Sequence, residues 1–349
     1  MVRATPAPPH LGVATSAAQD GDWRSWVDAM ERLGLASGRV RELTAEDVRA
    51  ICRSPVFRAG ILLGLAATVQ PARLARSLRR AILDQGVRVF EGSPVRRFRA
   101  GSPVEARTPG GSVRAPRAVL GINAWARRWR QFRRTILPRA TYIVLTAPAP
   151  ERLAELGWTG GEGIYDFRAS LHYLRTTPDG RIAFGGASSR AGLGTGVGAR
   201  LDYDAASVEK LVGDLHRMFP PFADVPIEAA WGGPIDVSAL HLPFFGTLPP
   251  GTVHYGLGFT GGGVGPCHLG GKILSRLALG IEDDVTRLPI VGLRPKRFPP
   301  EPVLSVGAYL THEAIVRKDD AEDAGRRAGA LTTWLARRPR RLGYRIGPG

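Results

Sequence analysis

Residues 256–265 read Gly-Leu-Gly-Phe-Thr-Gly-Gly-Gly-Val-Gly, six glycines in ten positions. A strand-like pattern, Val253-His-Tyr255, precedes this loop, and a helical pattern from Cys267 to Leu279 follows it and stops at Gly280. Side-chain-free backbone lets N–H groups approach a flat or anionic ligand closely, and the positive end of the following helix dipole favours negative charge there. Gly256, Gly258 and Gly261 satisfy G-x-G-x-x-G, the spacing of a dinucleotide fingerprint. The context argues against a NAD site of that kind. A fingerprint is followed about 20 residues on by an acidic residue that ends a second strand, whereas this helix runs into Ile281-Glu-Asp-Asp284 and a proline-rich stretch. A turn required only for close helix packing is the other reading of the same glycines.

A second stretch has the same character. Arg117-Ala-Val-Leu-Gly121 is a short apolar strand running into the small-residue loop Ile122-Asn123-Ala124-Trp125, and open α/β sheets place ligands at such strand ends. The other reactive residue types offer less. Cys52 and Cys267 stand far apart with no partner at metal or redox spacing and read as buried thiols. His241, His254 and His268 read as structural histidines, and there is no Ser-His-Asp set, P-loop or metal-spaced histidine cluster in the sequence.

The elements that must position these loops follow from periodicity. Residues 1–21 are Ala, Pro, Thr and Ser rich and predict a disordered leader. Residues 23–33 have helical spacing, and Thr44 with Asp47 predicts a capped helix through Ile51. Pro71 opens an amphipathic helix whose apolar stripe is Leu74, Leu78, Ile82 and Leu83. Gly86 ends it, strands are predicted over Val87–Phe90 and Val95–Arg99, and Thr108-Pro-Gly-Gly111 predicts a hairpin turn. From Thr141 the pattern alternates, with strands over 141–145, 170–175 and 181–184 and a helix over 204–218. The prediction is therefore a mixed α/β fold. A partial dinucleotide-type layer with a helical segment over 22–138 is followed by an inserted antiparallel-sheet substrate domain over 139–235. The chain returns to the first layer over 236–288 and ends in a Pro/Arg-rich tail, 289–349, with one helix at 320–335.

Composition bounds the function classes. The 349 residues are 44% hydrophobic and 23% charged, with 44 Gly, 28 Pro and a mean hydropathy of −0.08, which fits a globular enzyme-sized chain. The most apolar run, Ala59 to Val69, is about half of the roughly 20 residues a bilayer span needs, so no membrane partner is expected and the cytoplasm is the expected location. A net charge of +17 raises nucleic acid as a partner. Arginines run from Arg3 to Arg345, however, and lysines number only four, a compositional bias that makes nucleic acid an unexpected partner.

Taken in order, several short motifs resemble the D-amino-acid-oxidase-like family of FAD-dependent oxidoreductases, which includes glycine, sarcosine and γ-glutamylputrescine oxidases. They are Val69-Gln-Pro71-Ala-Arg-Leu, Gly86-Val-Arg-Val-Phe-Glu-Gly-Ser-Pro-Val95, Val119-Leu-Gly-Ile-Asn123-Ala-Trp125, Tyr173-Leu-Arg175 with Gly180 to Gly186, Trp231-Gly-Gly233, Leu242-Pro243-Phe-Phe-Gly246 and Gly258 to Val264. The resemblance implies a Rossmann-like FAD-binding layer in which the Val95 backbone meets the adenine. Asn123, Ala124 and Trp125 would lie beside the adenosine and pyrophosphate. Gly258, Phe259, Thr260, Gly261, Gly262, Gly263 and Val264 would line the isoalloxazine, and Tyr173 and Arg175 would shape the substrate pocket. It further implies non-covalent FAD, hydride transfer from an amine to give an imine, and O2 as acceptor.

Two departures sharpen these expectations. The family's opening strand, G-x-G-x-x-G and acidic ribose ligand have no counterpart before Val95. The layer is thus expected to be incomplete at its N-terminus and to hold FAD weakly or not at all alone: either the chain starts late, or a separate polypeptide carrying that fingerprint supplies that half, or the fold has decayed to a non-catalytic remnant. Where glycine oxidases carry carboxylate-clamping arginines, Ile235 and Gly261 stand, which points away from small α-amino acids and towards an amine or N-substituted amine.

Overall fold

The computed structural model describes residues 8–64, 66–187, 197 and 201–345. The chain divides into two compact units, the first comprising residues 1–68, 139–234 and 300–349 and the second residues 69–138 and 235–299.

The first unit begins with β1 (His10–Val13), α1 (Arg24–Arg32), β2 (Val40–Leu43), α2 (Ala45–Ile51) and β3 (Gly60–Leu63). The expected capping box opens α2. Thr44 Oγ1 accepts from Asp47 N at 3.2 Å, and Thr44 N donates to Asp47 Oδ2 at 2.9 Å, which satisfies two of the helix's orphan donors. The chain then builds the second unit with α3 (Pro71–Asp84), β4 (Arg97–Arg99), β5 (Val104–Thr108), β6 (Gly111–Ala115) and β7 (Ala118–Leu120). It returns through β8 (Ile136–Thr146), α4 (Pro150–Leu156), β9 (Gly163–Asp166), β10 (His172–Thr176), β11 (Ile182–Ala187), α5 (Ala205–Met218) and β12 (Ile227–Ser238). The hairpin strands β13 (Phe244–Leu248) and β14 (Val253–Leu257) and helix α6 (Pro266–Leu279) complete the second unit, and α7 (Val303–Asp323) and α8 (Ala330–Arg341) close the first.

An eight-stranded mixed sheet in the order β12-β8-β11-β10-β9-β1-β3-β2 forms the frame of the first unit. The strict alternation of burial along the eleven residues of β8 shows a strand with one face in the core. The second unit holds two three-stranded sheets, β4-β5-β6 and β13-β14-β7. Its core gathers Val104, Leu120, Phe132, Ile136, Phe244, Val253 and Leu257.

Four expectations are corrected. Residues 10–13 are not part of a disordered leader: β1 pairs antiparallel with β3 and parallel with β9, and Leu11 and Val13 are fully buried. Its partners lie about 50 and 150 residues on, so no local composition could announce it. Val87–Phe90 forms no strand, because no described segment lies alongside to pair with it. The C-terminal stretch holds two helices, not one at 320–335: Gly325, with φ +67°, and Gly329 break that span between α7 and α8. Cys52 is buried as expected, with desolvation pushing its thiol up to about 12, but Cys267 is exposed. No helix among the described residues is long and apolar enough to cross a membrane.

Candidate functional site

β7 and β14 run parallel, with Ala118, Val119 and Leu120 opposite Val253, His254 and Tyr255. The two loops singled out by sequence, 121–125 and 258–265, therefore leave the C-terminal ends of adjacent parallel strands, the place where open α/β sheets bind ligands. Sequence reasoning named both loops but could not show that they share one end of one sheet.

Long-range polar contacts fix the glycine loop. Asp236, 2% exposed at the end of β12, accepts from Gly258 N at 2.6 Å, and its own carbonyl accepts from Thr260 N at 3.4 Å. Ser238 N donates to Thr260 Oγ1 at 3.2 Å, and that hydroxyl donates to Gly258 O at 3.0 Å. Burial raises the Asp236 carboxyl above its ordinary range, against the opposing pull of these backbone donors. The sequence reading missed Asp236, since 22 residues separate it from Gly258.

The glycines have two different reasons to be glycine. Gly258 has φ +80°, and a methyl group on it would stand 2.8 Å from the Phe244 ring. Gly261 has φ +82° and faces Ile235 Cδ1 at 3.4 Å, so the two positions where a carboxylate-clamping arginine is absent lie against each other. At Gly262 an added Cβ would meet only the Phe259 carbonyl at 3.7 Å, and at Gly121 and Gly265 nothing within 4 Å. Neither backbone nor packing demands glycine at these three positions. The space beside the backbone is open at each of them, which leaves room for a flat cofactor to come against it. No side chain caps the N-terminus of α6, and no acidic residue stands in its first turn, which suits the anionic edge of such a ligand. Residues 256–265 carry no charged side chain.

The remaining expected residues fall as follows. Ala124 is buried; Asn123, at φ +45°, accepts from Ala124 N through Oδ1 at 2.6 Å; Trp125, Val95 and Val264 are exposed. Tyr173 and Arg175 lie in the first unit, on one face of β10. The Tyr173 ring covers Gly185 on β11, where a methyl group would come within 2.3 Å of it. Burial raises the Tyr173 phenol and lowers the Arg175 guanidinium. His254 is buried and bonded to Thr247 at 2.9 Å, with its pKa lowered by desolvation and then by Arg117, in keeping with a structural role.

The opposite face of β10 carries a polar cluster that sequence reasoning did not single out. His172 Nδ1 lies 2.6 Å from Asp166 Oδ2, and its Nε2 lies 3.1 Å from Asp214 Oδ2. Arg168 donates to Asp323 at 2.6 Å and Asp320 at 2.9 Å, and Ser170 Oγ to Asp319 at 2.6 Å. Asp166, Arg168, Ser170 and His172 repeat every second residue, a pattern that ordinarily marks a solvated strand face. Here it faces α5 and α7 and anchors both to the sheet. Burial pulls the His172 pKa down, but the two carboxylates outweigh burial and raise it, while Asp214 is held well below the usual carboxylate range.

This predicts a pH window. The His172 contribution is complete below the free-imidazole value, ~6.5, and is lost as pH rises through the raised folded value. The Asp214 contribution is lost as pH falls towards its depressed value. Thermal melts should therefore show a melting temperature that declines above neutral pH, and His172→Gln should flatten that decline. An unchanged profile in the variant would contradict the assignment.

The model of the FAD dependent oxidoreductase (DAO) family matches residues 5–277. The chain is 26% identical over 240 residues to a protein named probable oxidoreductase OrdL from Haemophilus influenzae, covering 66% of this chain and 52% of that one. It is 29% identical over 241 residues to gamma-glutamylputrescine oxidoreductase from Escherichia coli, covering 68% and 54%. The chain thus spans about half the length of these two curated relatives. Among solved structures, glycine oxidase from Geobacillus kaustophilus superimposes with a TM-score of 0.68 at 18% identity, covering 82% of this chain and 75% of that one.

Proposed function

Because the chain belongs to the FAD dependent oxidoreductase (DAO) family, we propose that it oxidises an amine or N-substituted amine to the imine, with FAD held non-covalently at the loops that leave β7 and β14 and O2 as the acceptor. The observation that carries this reading is the parallel pairing of β7 with β14, which sends both loops from one end of the sheet, with open space beside Gly121, Gly262 and Gly265. FAD, when bound, supplies the hydride acceptor, and its reoxidation by O2 releases H2O2. The chain's own part is placement. Gly258 to Val264 would line the isoalloxazine, held in shape by Asp236 and Thr260. Asn123, Ala124 and Trp125 would lie beside the adenosine and pyrophosphate, and the Val95 backbone beside the adenine. Tyr173 and Arg175 are the proposed substrate-contacting residues of the first unit.

Ile235 against Gly261 supports the substrate class. An aliphatic side chain and a hydrogen atom cannot form the bidentate fork that holds a carboxylate, so selectivity should favour amines with no carboxylate beside the reacting carbon. The test is anaerobic mixing of the FAD-loaded protein with γ-glutamylputrescine or with glycine. Loss of the visible flavin absorption with the first and not the second is the expected result; bleaching by glycine alone, or by neither, would overturn the substrate assignment.

A further inference from the structure

One face of the eight-stranded sheet in the first unit carries rings laid over glycines. His10 and Gly12 of β1 stand opposite Gly163 and Tyr165 of β9, and the two rings cross reciprocally. A methyl group on Gly163 would come within 2.6 Å of His10 Nε2, and one on Gly12 within 2.8 Å of Tyr165 Cζ. Tyr165 is also directly opposite Tyr173 of β10. The Tyr165 ring leans over β1, whereas the Tyr173 ring leans the other way, over Gly185 of β11, and is hydrogen-bonded to Thr141. Opposed side chains on neighbouring strands ordinarily pack together. These two part, and the strip above β9 and β10 lies between them.

The charge on that face has one sign. Of the described residues that register and alternation place there on β1, β8, β9, β10 and β11, Arg139 and Arg175 are charged and none is acidic. Burial lowers the pKa of His10, which stays neutral, and lowers both guanidinium groups, Arg139 to about 10. Arg139 meets His312 Nδ1 at 2.7 Å. Arg175 follows Tyr173 by two residues, so it borders the strip about 7 Å along the strand. A desolvated guanidinium is stabilised most by a carboxylate, which it can hold through two parallel N–H···O bonds.

Taking the amine oxidation proposed above as premise, we infer that this face selects an amine whose far end is a carboxylate, with Tyr165 and Tyr173 flanking the carbon chain and Arg175 holding the carboxylate. Tyr165 thereby joins Tyr173 and Arg175 as a specificity-determining residue. The substrate class is one with amine and carboxylate at opposite ends of a chain. An α-amino acid, with both groups on one carbon, cannot reach Arg175 and leave its amine beyond the rings. A plain alkylamine would place hydrocarbon against the guanidinium, which costs that group hydration.

The probes are 6-aminohexanoate and hexylamine, which share six carbons and a primary amine and differ in the carboxylate. Each is titrated calorimetrically into the full chain without FAD. The expected result is that 6-aminohexanoate binds about tenfold or more tightly than hexylamine, and that Arg175→Met abolishes this preference. Tyr165→Leu should weaken 6-aminohexanoate about tenfold, and Tyr165→Phe, which keeps the ring, should restore it; a purely structural ring would move the melting temperature and not the binding. If Tyr165→Leu does not fold, Arg175→Met decides the matter. Equal affinity for the two probes, binding of neither, or a preference that survives Arg175→Met would overturn the inference, and binding untouched by a folded Tyr165→Leu would remove Tyr165 from it. Because FAD is absent throughout, a chain that prefers 6-aminohexanoate but is not stabilised by FAD contradicts the flavin reading alone, and a chain stabilised by FAD that binds both probes equally contradicts this inference alone.

Discussion

Replacing Arg168 by Met is expected to lower the stability of the chain by about 3–5 kcal/mol, the usual effect of removing one partner from a buried ion pair. The guanidinium is 1% exposed and donates to Asp323 and Asp320, with Asp319 at 3.7 Å from its Nε. Without it, Asp319 and Asp323 are left as buried carboxylates facing one another's charge, and their desolvation is no longer compensated. Arg217 and Lys210, which reach Asp323 and Asp320 at 2.8 and 3.1 Å, offset part of the loss. Against a total stability of about 5–15 kcal/mol for a domain, the change should be plain in a urea denaturation midpoint. Arg79→Ala is the control, since its pair with Glu91 is exposed on both sides and such pairs contribute at most about 1 kcal/mol. Equal effects from the two replacements would show that the β10 cluster does not anchor α7.

The second large effect is expected at Gly262. A Cβ added there meets only the Phe259 carbonyl at 3.7 Å, and the residue's φ lies outside the left-handed region, so a valine variant is expected to fold with an unchanged melting temperature. The added side chain nevertheless occupies the open space beside this backbone, where FAD is proposed to lie. Affinity for FAD should fall about 100-fold or more, roughly 2.7 kcal/mol, with no loss of fold to explain it. Gly258→Val would not separate the two effects, because its Cβ collides with the Phe244 ring and its φ is +80°.

Local interactions were legible in the sequence, and interactions across the chain were not. Thr44 with Asp47, Pro71 at the head of α3, Asp204 before α5 and Gly280 after α6 all act within one helical turn, and each stands where the residue pattern places it. The strand His10–Val13 was hidden because its burial depends on Gly60–Leu63 and Gly163–Asp166. The same dependence worked in reverse at Val87–Phe90, where the right alternation had no neighbour to pair with. For the site, the glycine loop and Asn123–Trp125 could be read as strand ends, but their common edge rests on the pairing of β7 with β14. Asp236 gave no signal, since a single aspartate after a Gly-Gly-Pro-Ile stretch looks like any turn residue. The Asp166–His172 alternation was misleading for a physical reason: a polar period of two marks a solvated face only when no charged helix covers it, and Asp214 on α5 and Asp319, Asp320 and Asp323 on α7 supply that cover.

The central claim is that the loops leaving β7 and β14 hold FAD against the backbone of the glycine loop. A calorimetric scan of the full chain and of Gly262→Val at increasing FAD concentration tests it most directly, since a ligand that binds only the folded state raises the melting temperature by mass action. The account predicts a saturable rise for the chain and none for the variant at the same concentrations, from equal melting temperatures without FAD. A chain that FAD does not stabilise at any concentration, or a variant stabilised as much as the chain, would contradict it.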